Sequence, residues 1–158
     1  MGQSFVWSTS APLGVVTVQS TTLMNVTLRL YNGVHTCDNS GGEIYTQTTN
    51  PLSANVYSSI ILTTPQALVN GNTYTFCVFR EGGGTTALAY SWTTNAYAGG
   101  TLIADGLIDM FSNGSDLKFQ LDVPPPAPVP TLTEWAMILF GVSLAGLAAL
   151  FIRRRQVA

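Results

Sequence analysis

The chain has 158 residues, 46% of them hydrophobic and 9% charged, with a formal net charge of −2. Six Lys/Arg with no basic stripe before the extreme C-terminus exclude a nucleic-acid surface, and abundant β-branched and aromatic residues at small net charge exclude disorder. A single His (His35) and a single Lys (Lys118) leave little to build His-dependent catalysis from, so the composition points to a surface protein rather than an enzyme, with no cofactor.

In chain order, the first 123 residues follow a period of two, the mark of half-buried strands. Strands are expected over Gly14–Gln19, around Val26, Leu28 and Leu30, and over Tyr45–Thr48 and Tyr57–Leu62. Further strands are expected around Tyr74, Phe76 and Val78, over Ala87–Thr93 and Leu102–Ile108, and around Leu117, Phe119 and Leu121. Turn chemistry separates them at Asn32-Gly33, Gly41-Gly42, Asn70-Gly71, Gly82–Gly84, Gly99-Gly100 and Asn113-Gly114. About eight strands with varied loops suggest a jelly-roll-like two-sheet β-sandwich, with an up-and-down barrel as the alternative.

Charge and proline mark where this domain ends. Residues 1–123 carry three basic groups against seven acids, whereas 124–158 carry Arg153, Arg154 and Arg155 against Glu134. Residues 124–130 (PPPAPVP) hold five of the eight prolines and predict a polyproline linker of about 22 Å. From Trp135 to Ile152 no residue is charged, and eighteen residues of helix reach about 27 Å, close to the ~30 Å hydrocarbon core. A single transmembrane helix is expected, with the arginines cytoplasmic and the β-domain on the other side. Gly141, Ala145 and Ala149 form a smooth helix face, a weak contact signal in so Ala-rich a run.

Cys37 and Cys77 are the only cysteines, an even count suited to a disulfide outside the cytoplasm. Two free buried thiols are the other reading.

The tail, Val129-Pro-Thr-Leu-Thr-Glu-Trp135 followed by an apolar run and an arginine cluster, resembles an IPTL-CTERM sorting signal. That signal is a relative of the PEP-CTERM signals handled by exosortase-type membrane proteases in Gram-negative bacteria. Val129 and Thr133 stand where Ile and Ser are usual. The resemblance covers 129–158, with Pro130, Thr131, Leu132, Thr133, Glu134 and Trp135 as sorting motif and Arg153–Arg155 as cytoplasmic stop. It implies export, transient inner-membrane anchoring, processing near the motif, and delivery to the surface or biofilm matrix. Met1–Trp7 lacks a basic n-region and an apolar h-region, so the export signal is expected upstream or already removed. Fainter similarity links Val26–Gly33, Leu68–Phe76, Ala96–Leu102 and Asp116–Phe119 to jelly-roll-like modules of bacterial secreted proteins.

Candidate sites are sparse. Asp105, Asp109, Asn113 and Asp116 carry oxygen ligands, but their spacing matches no EF-hand loop, and solvated turn acids are expected with no metal. Tyr90, Trp92 and Tyr97 could form an aromatic sugar platform, although that face is expected to point into the core. His35 lies near Cys37 and Asp38, yet no third orienting group is evident, so no catalytic residue is assigned. Asn25-Val-Thr27 and Asn113-Gly-Ser115 match the glycosylation pattern at a chance frequency. The reading is a non-enzymatic exported surface or matrix protein, with self-association or exopolysaccharide as possible partners. A carbohydrate-binding adhesion module on the same anchor is the alternative.

Overall fold

Alternation of apolar and polar side chains becomes alternation of burial in β3 (Met24–Asn32). Val26, Leu28 and Leu30 are buried, while Asn25 is exposed and Thr27 and Arg29 are half-buried. The computed structural model describes residues 1–38, 41–91, 97–104, 107–108, 115–125 and 136–145. It divides the chain into two units, Met1–Pro125 and Pro126–Ala158.

The first unit is all-β. The remaining strands are β1 (Gly2–Val6), β2 (Leu13–Gln19), β4 (Glu43–Leu52), β5 (Tyr57–Gln66), β6 (Thr73–Arg80), β7 (Tyr90–Ser91), β8 (Leu102–Ala104), β9 (Leu107–Ile108), β10 (Asp116–Leu117) and β11 (Phe119–Asp122). A six-stranded sheet runs β4-β3-β6-β1-β8-β9, a three-stranded sheet runs β11-β2-β5, and β10 pairs β7. All pairings between these strands are antiparallel.

The two larger sheets bury their facing sides against each other. Phe5, Val26, Leu28, Leu30, Phe76 and Val78 of one join Val16, Val18, Ile60 and Leu62 of the other in a single apolar cluster. Phe76 and Phe119 meet across it with ring centroids 5.4 Å apart. This is sandwich layering, each sheet covering the apolar face of the other.

Three departures from the expected strands have physical reasons. β1 was not expected, yet it lies inside the large sheet, with Gly2 opposite Cys77 on β6 and Ile103 on β8. Its polar sequence hides a buried strand, because Gln3 and Ser4 are buried with hydrogen-bond partners rather than by apolarity. The expected strand 117–121 splits at Lys118: Asp116 and Leu117 pair with β7, whereas Phe119–Asp122 pair with β2. The expected strand 102–108 is a short hairpin of β8 and β9, with residues 105–106 outside the described residues.

In the second unit, residues 136–145 form a helix, α1, whose ten residues are all exposed. Met137, Ile138, Leu139, Phe140, Val142 and Leu144 surround it with apolar surface. Its one hydroxyl, Ser143, donates to the Leu139 carbonyl one turn back at 2.7 Å. Among the described residues, no helix is long and apolar enough to cross a membrane. Trp135 and 146–152, the rest of the expected span, lie outside them, as do Pro130–Glu134 and Arg153–Arg155.

Candidate functional site

The cysteine–histidine neighbourhood is structural. Cys37 and Cys77 are joined as a disulfide with Cα atoms 5.6 Å apart. The loop 33–38 is thereby held on the outer face of β6. The Thr75 hydroxyl donates to the Gly33 carbonyl at 2.7 Å and accepts from the His35 amide at 3.1 Å. The His35 ring stacks on Tyr31 at 3.6 Å, and its Nδ1 accepts the Cys37 amide at 3.0 Å. His35 and Cys37 sit in an irregular loop, not on one strand, and the sulfur that a nucleophile would need is bonded to another sulfur. Gly2 lies beneath: a Cβ there would meet the Phe76 carbonyl oxygen and Cys37 Sγ at 2.3 Å and 2.4 Å.

Asp116 corrects an expectation. It is 1% exposed rather than a solvated turn acid. Its Oδ1 accepts from Gln3 Nε2 and its Oδ2 from the Tyr97 amide, both at 2.7 Å. Gln3 Oε1 in turn accepts the Leu117 amide at 3.0 Å. The carboxylate therefore ties β1, β10 and the segment before β8 together, with both oxygens already engaged. A calcium ion would need those same oxygens. Asp105, Asp109 and Asn113 lie outside the described residues, and among the described residues no group of three His, Cys, Asp or Glu could hold a metal.

The aromatic trio separates. Tyr90 is half-buried against the apolar core, and Trp92 lies outside the described residues. Tyr97 is half-buried, and its hydroxyl accepts from the Val6 amide at 2.9 Å and donates to the Val6 carbonyl at 3.1 Å. Its ring packs edge-on against Phe119 at 5.4 Å. Tyr97 is therefore a clamp between β1 and β11.

Beside that clamp opens a groove of about 440 Å³, bounded by Val6–Ser8, Tyr57, Ser91, Tyr97 and Leu117–Leu121. Of the expected platform's described members, Tyr97 lines it and Tyr90 does not. The sequence assigns Tyr57, Lys118, Phe119 and Gln120 to no binding site, because five separate segments build the groove and no local spacing announces it. A volume of this size falls within the range of small-ligand clefts.

Residues 127–156 match the family model of the IPTL-CTERM motif. The match spans the apolar helix α1 and the arginine triplet and so identifies a C-terminal sorting signal. No curated protein matches the chain, and no solved structure does.

Proposed function

We propose that this chain is a non-enzymatic surface or biofilm-matrix protein of a Gram-negative bacterium, exported and then released from a transient inner-membrane anchor by an exosortase-type protease. The match of residues 127–156 to the IPTL-CTERM motif carries the reading, since such a signal belongs to an exported protein. The character of α1 supports a membrane stage. A helix apolar on every side is suited to lipid or to burial, and all ten residues 136–145 are exposed. Ser143 satisfies its own hydroxyl within the helix, so it adds no unpaired polar group to a hydrocarbon environment.

The non-enzymatic reading draws support from where the reactive groups are spent. Cys37 is in a disulfide, His35 is stacked and accepts a backbone amide, and Asp116 holds two internal donors. The jelly-roll-like character of residues 1–123 is part of the proposal, supported by two apposed antiparallel sheets and a chain that changes sheets at Lys118.

Pro130→Ala and Trp135→Ala test recognition of the motif, because proline fixes an extended backbone and tryptophan sets depth at the interface. Both variants are expected to insert normally but to accumulate as full-length protein in the inner membrane of a host with the cognate protease. Blots of inner-membrane, outer-membrane and medium fractions read the outcome. A wild-type distribution would reduce the tail to a plain anchor.

A further inference from the structure

The groove beside Tyr97 combines features that occur together nowhere else among the described residues. Tyr57 is 54% exposed, and among the described residues of the first unit it is the one aromatic among the exposed large hydrophobics. It lines the groove with Phe119 and Tyr97, which are half-buried. The single lysine of the chain, Lys118, lines the same groove and is exposed, as is the Gln120 carboxamide. Among the described residues, no Asp or Glu belongs to the lining, although residues 1–123 hold seven acids against three basic groups. A net-negative domain thus places its one lysine in a cleft whose described lining holds no carboxylate.

The chemistry of that lining selects a ligand class. An exposed tyrosine ring offers an apolar face with a polar tip, suited to the C–H face of a pyranose. A carboxamide and an ammonium offer donors for ring hydroxyls and for an anion. Tyr97 does not compete for the ligand through its hydroxyl, which is committed to Val6; it holds the cleft wall rigid. We infer that the groove binds a short stretch of acidic polysaccharide, a uronic-acid residue pairing with Lys118 while its ring, or a neighbouring one, lies on Tyr57. The inference stands apart from the sorting signal: it assigns residues 1–125 a binding activity that a plain structural subunit lacks.

The test is calorimetric titration of the full chain in detergent with an oligogalacturonate tetramer, and with the neutral galactose tetramer as comparison. The uronate is expected to bind at least fivefold more tightly than the neutral sugar, and raised salt should erode that preference because the pair is exposed. Lys118→Gln is expected to bring the two sugars together, and Tyr57→Ala to weaken both by tenfold or more. Thermal unfolding of each variant within a degree or two of wild type shows that the fold is kept, as expected for two exposed side chains. No uronate binding at millimolar concentration would overturn the inference, as would binding indifferent to Tyr57→Ala. Equal affinity for both sugars would remove its acidic specificity. Displacement of the uronate by inorganic phosphate at similar concentration would show a bare anion site and reject the polysaccharide.

Discussion

The Asp116 carboxylate shows what a buried charge-bearing group does in a sandwich of this size. It accepts from the Gln3 side chain and the Tyr97 amide at 2.7 Å each, from positions 113 and 19 residues away in sequence. Asp116→Asn keeps the volume but turns one acceptor into a donor, leaving either Gln3 Nε2 or the Tyr97 amide facing another N–H. Loss of a partner for a buried donor costs about 1–3 kcal/mol, so a urea midpoint lowered with unchanged slope is expected. An unchanged midpoint would mean that the network is dispensable. None of this was legible in the sequence. Asp116 follows Asn113-Gly-Ser115, a turn signal, and the rule that turn acids are solvated fails because Gln3 arrives from the other end of the domain to cover it. Gly2 was equally silent: its missing side chain makes room for the disulfide, a requirement visible once the loop 33–38 has been placed.

Among elements, strands whose burial alternates were readable and strands buried by partnership were not. The strands expected around Val26 and Tyr74, and over 14–19 and 57–62, all fall on observed ones, since each sets an apolar row against the core. β1 escaped because its inward positions include Gln3 and its outward ones Gly2 and Ser4. The edges of the sheets carry a device that alternation conceals. β5 ends the three-stranded sheet, and an unpaired edge is a template for association. Gln47 on β4 occupies that edge: its Nε2 donates to the Ile61 carbonyl at 3.1 Å and its Oε1 accepts the Thr63 amide at 2.9 Å, as a neighbouring peptide group would. The Tyr45 hydroxyl also accepts from Thr63 at 3.0 Å. Tyr45→Phe together with Gln47→Ala is expected to open the edge and cost about 1–2 kcal/mol. Sedimentation velocity should then show concentration-dependent oligomers absent from wild type. The loop 33–38 is held by covalent means instead. Removing the Cys37–Cys77 bridge frees a loop of sequence separation 40 and should cost about 4 kcal/mol on the chain-entropy model. Cys37→Ser with Cys77→Ser, melted beside the oxidised protein, measures it, and coincident melting curves would refute it.

For the whole molecule, the chain reads as two physical programmes in series, one written by tertiary contact and one by local sequence. The sorting signal was legible because motif, apolar run and arginines follow one another within 30 residues. The groove was not, because it is assembled from five segments between Val6 and Leu121. The local programme makes its own prediction. Residues 136–145 give ten exposed helical residues, about 15 Å, or half of a bilayer core. The uncharged run to Ile152 supplies the remaining length in sequence, and three arginines follow directly. If this run spans a membrane as proposed, such a cluster is expected to stay on the cytoplasmic side and to orient the span. A reporter active only outside the cytoplasm, fused after Ala158 behind a working export signal, is therefore expected to be silent. Replacing Arg153, Arg154 and Arg155 with Gln should raise its activity several-fold, because nothing charged then resists passage of the C-terminus. The same reporter fused ahead of Met1, behind the same working export signal, should stay active in both backgrounds, since that added signal and not the tail carries it across. If the arginine replacements leave the C-terminal reporter silent, orientation is set by the exported domain alone. The triplet would then serve recognition by the sorting machinery rather than topology.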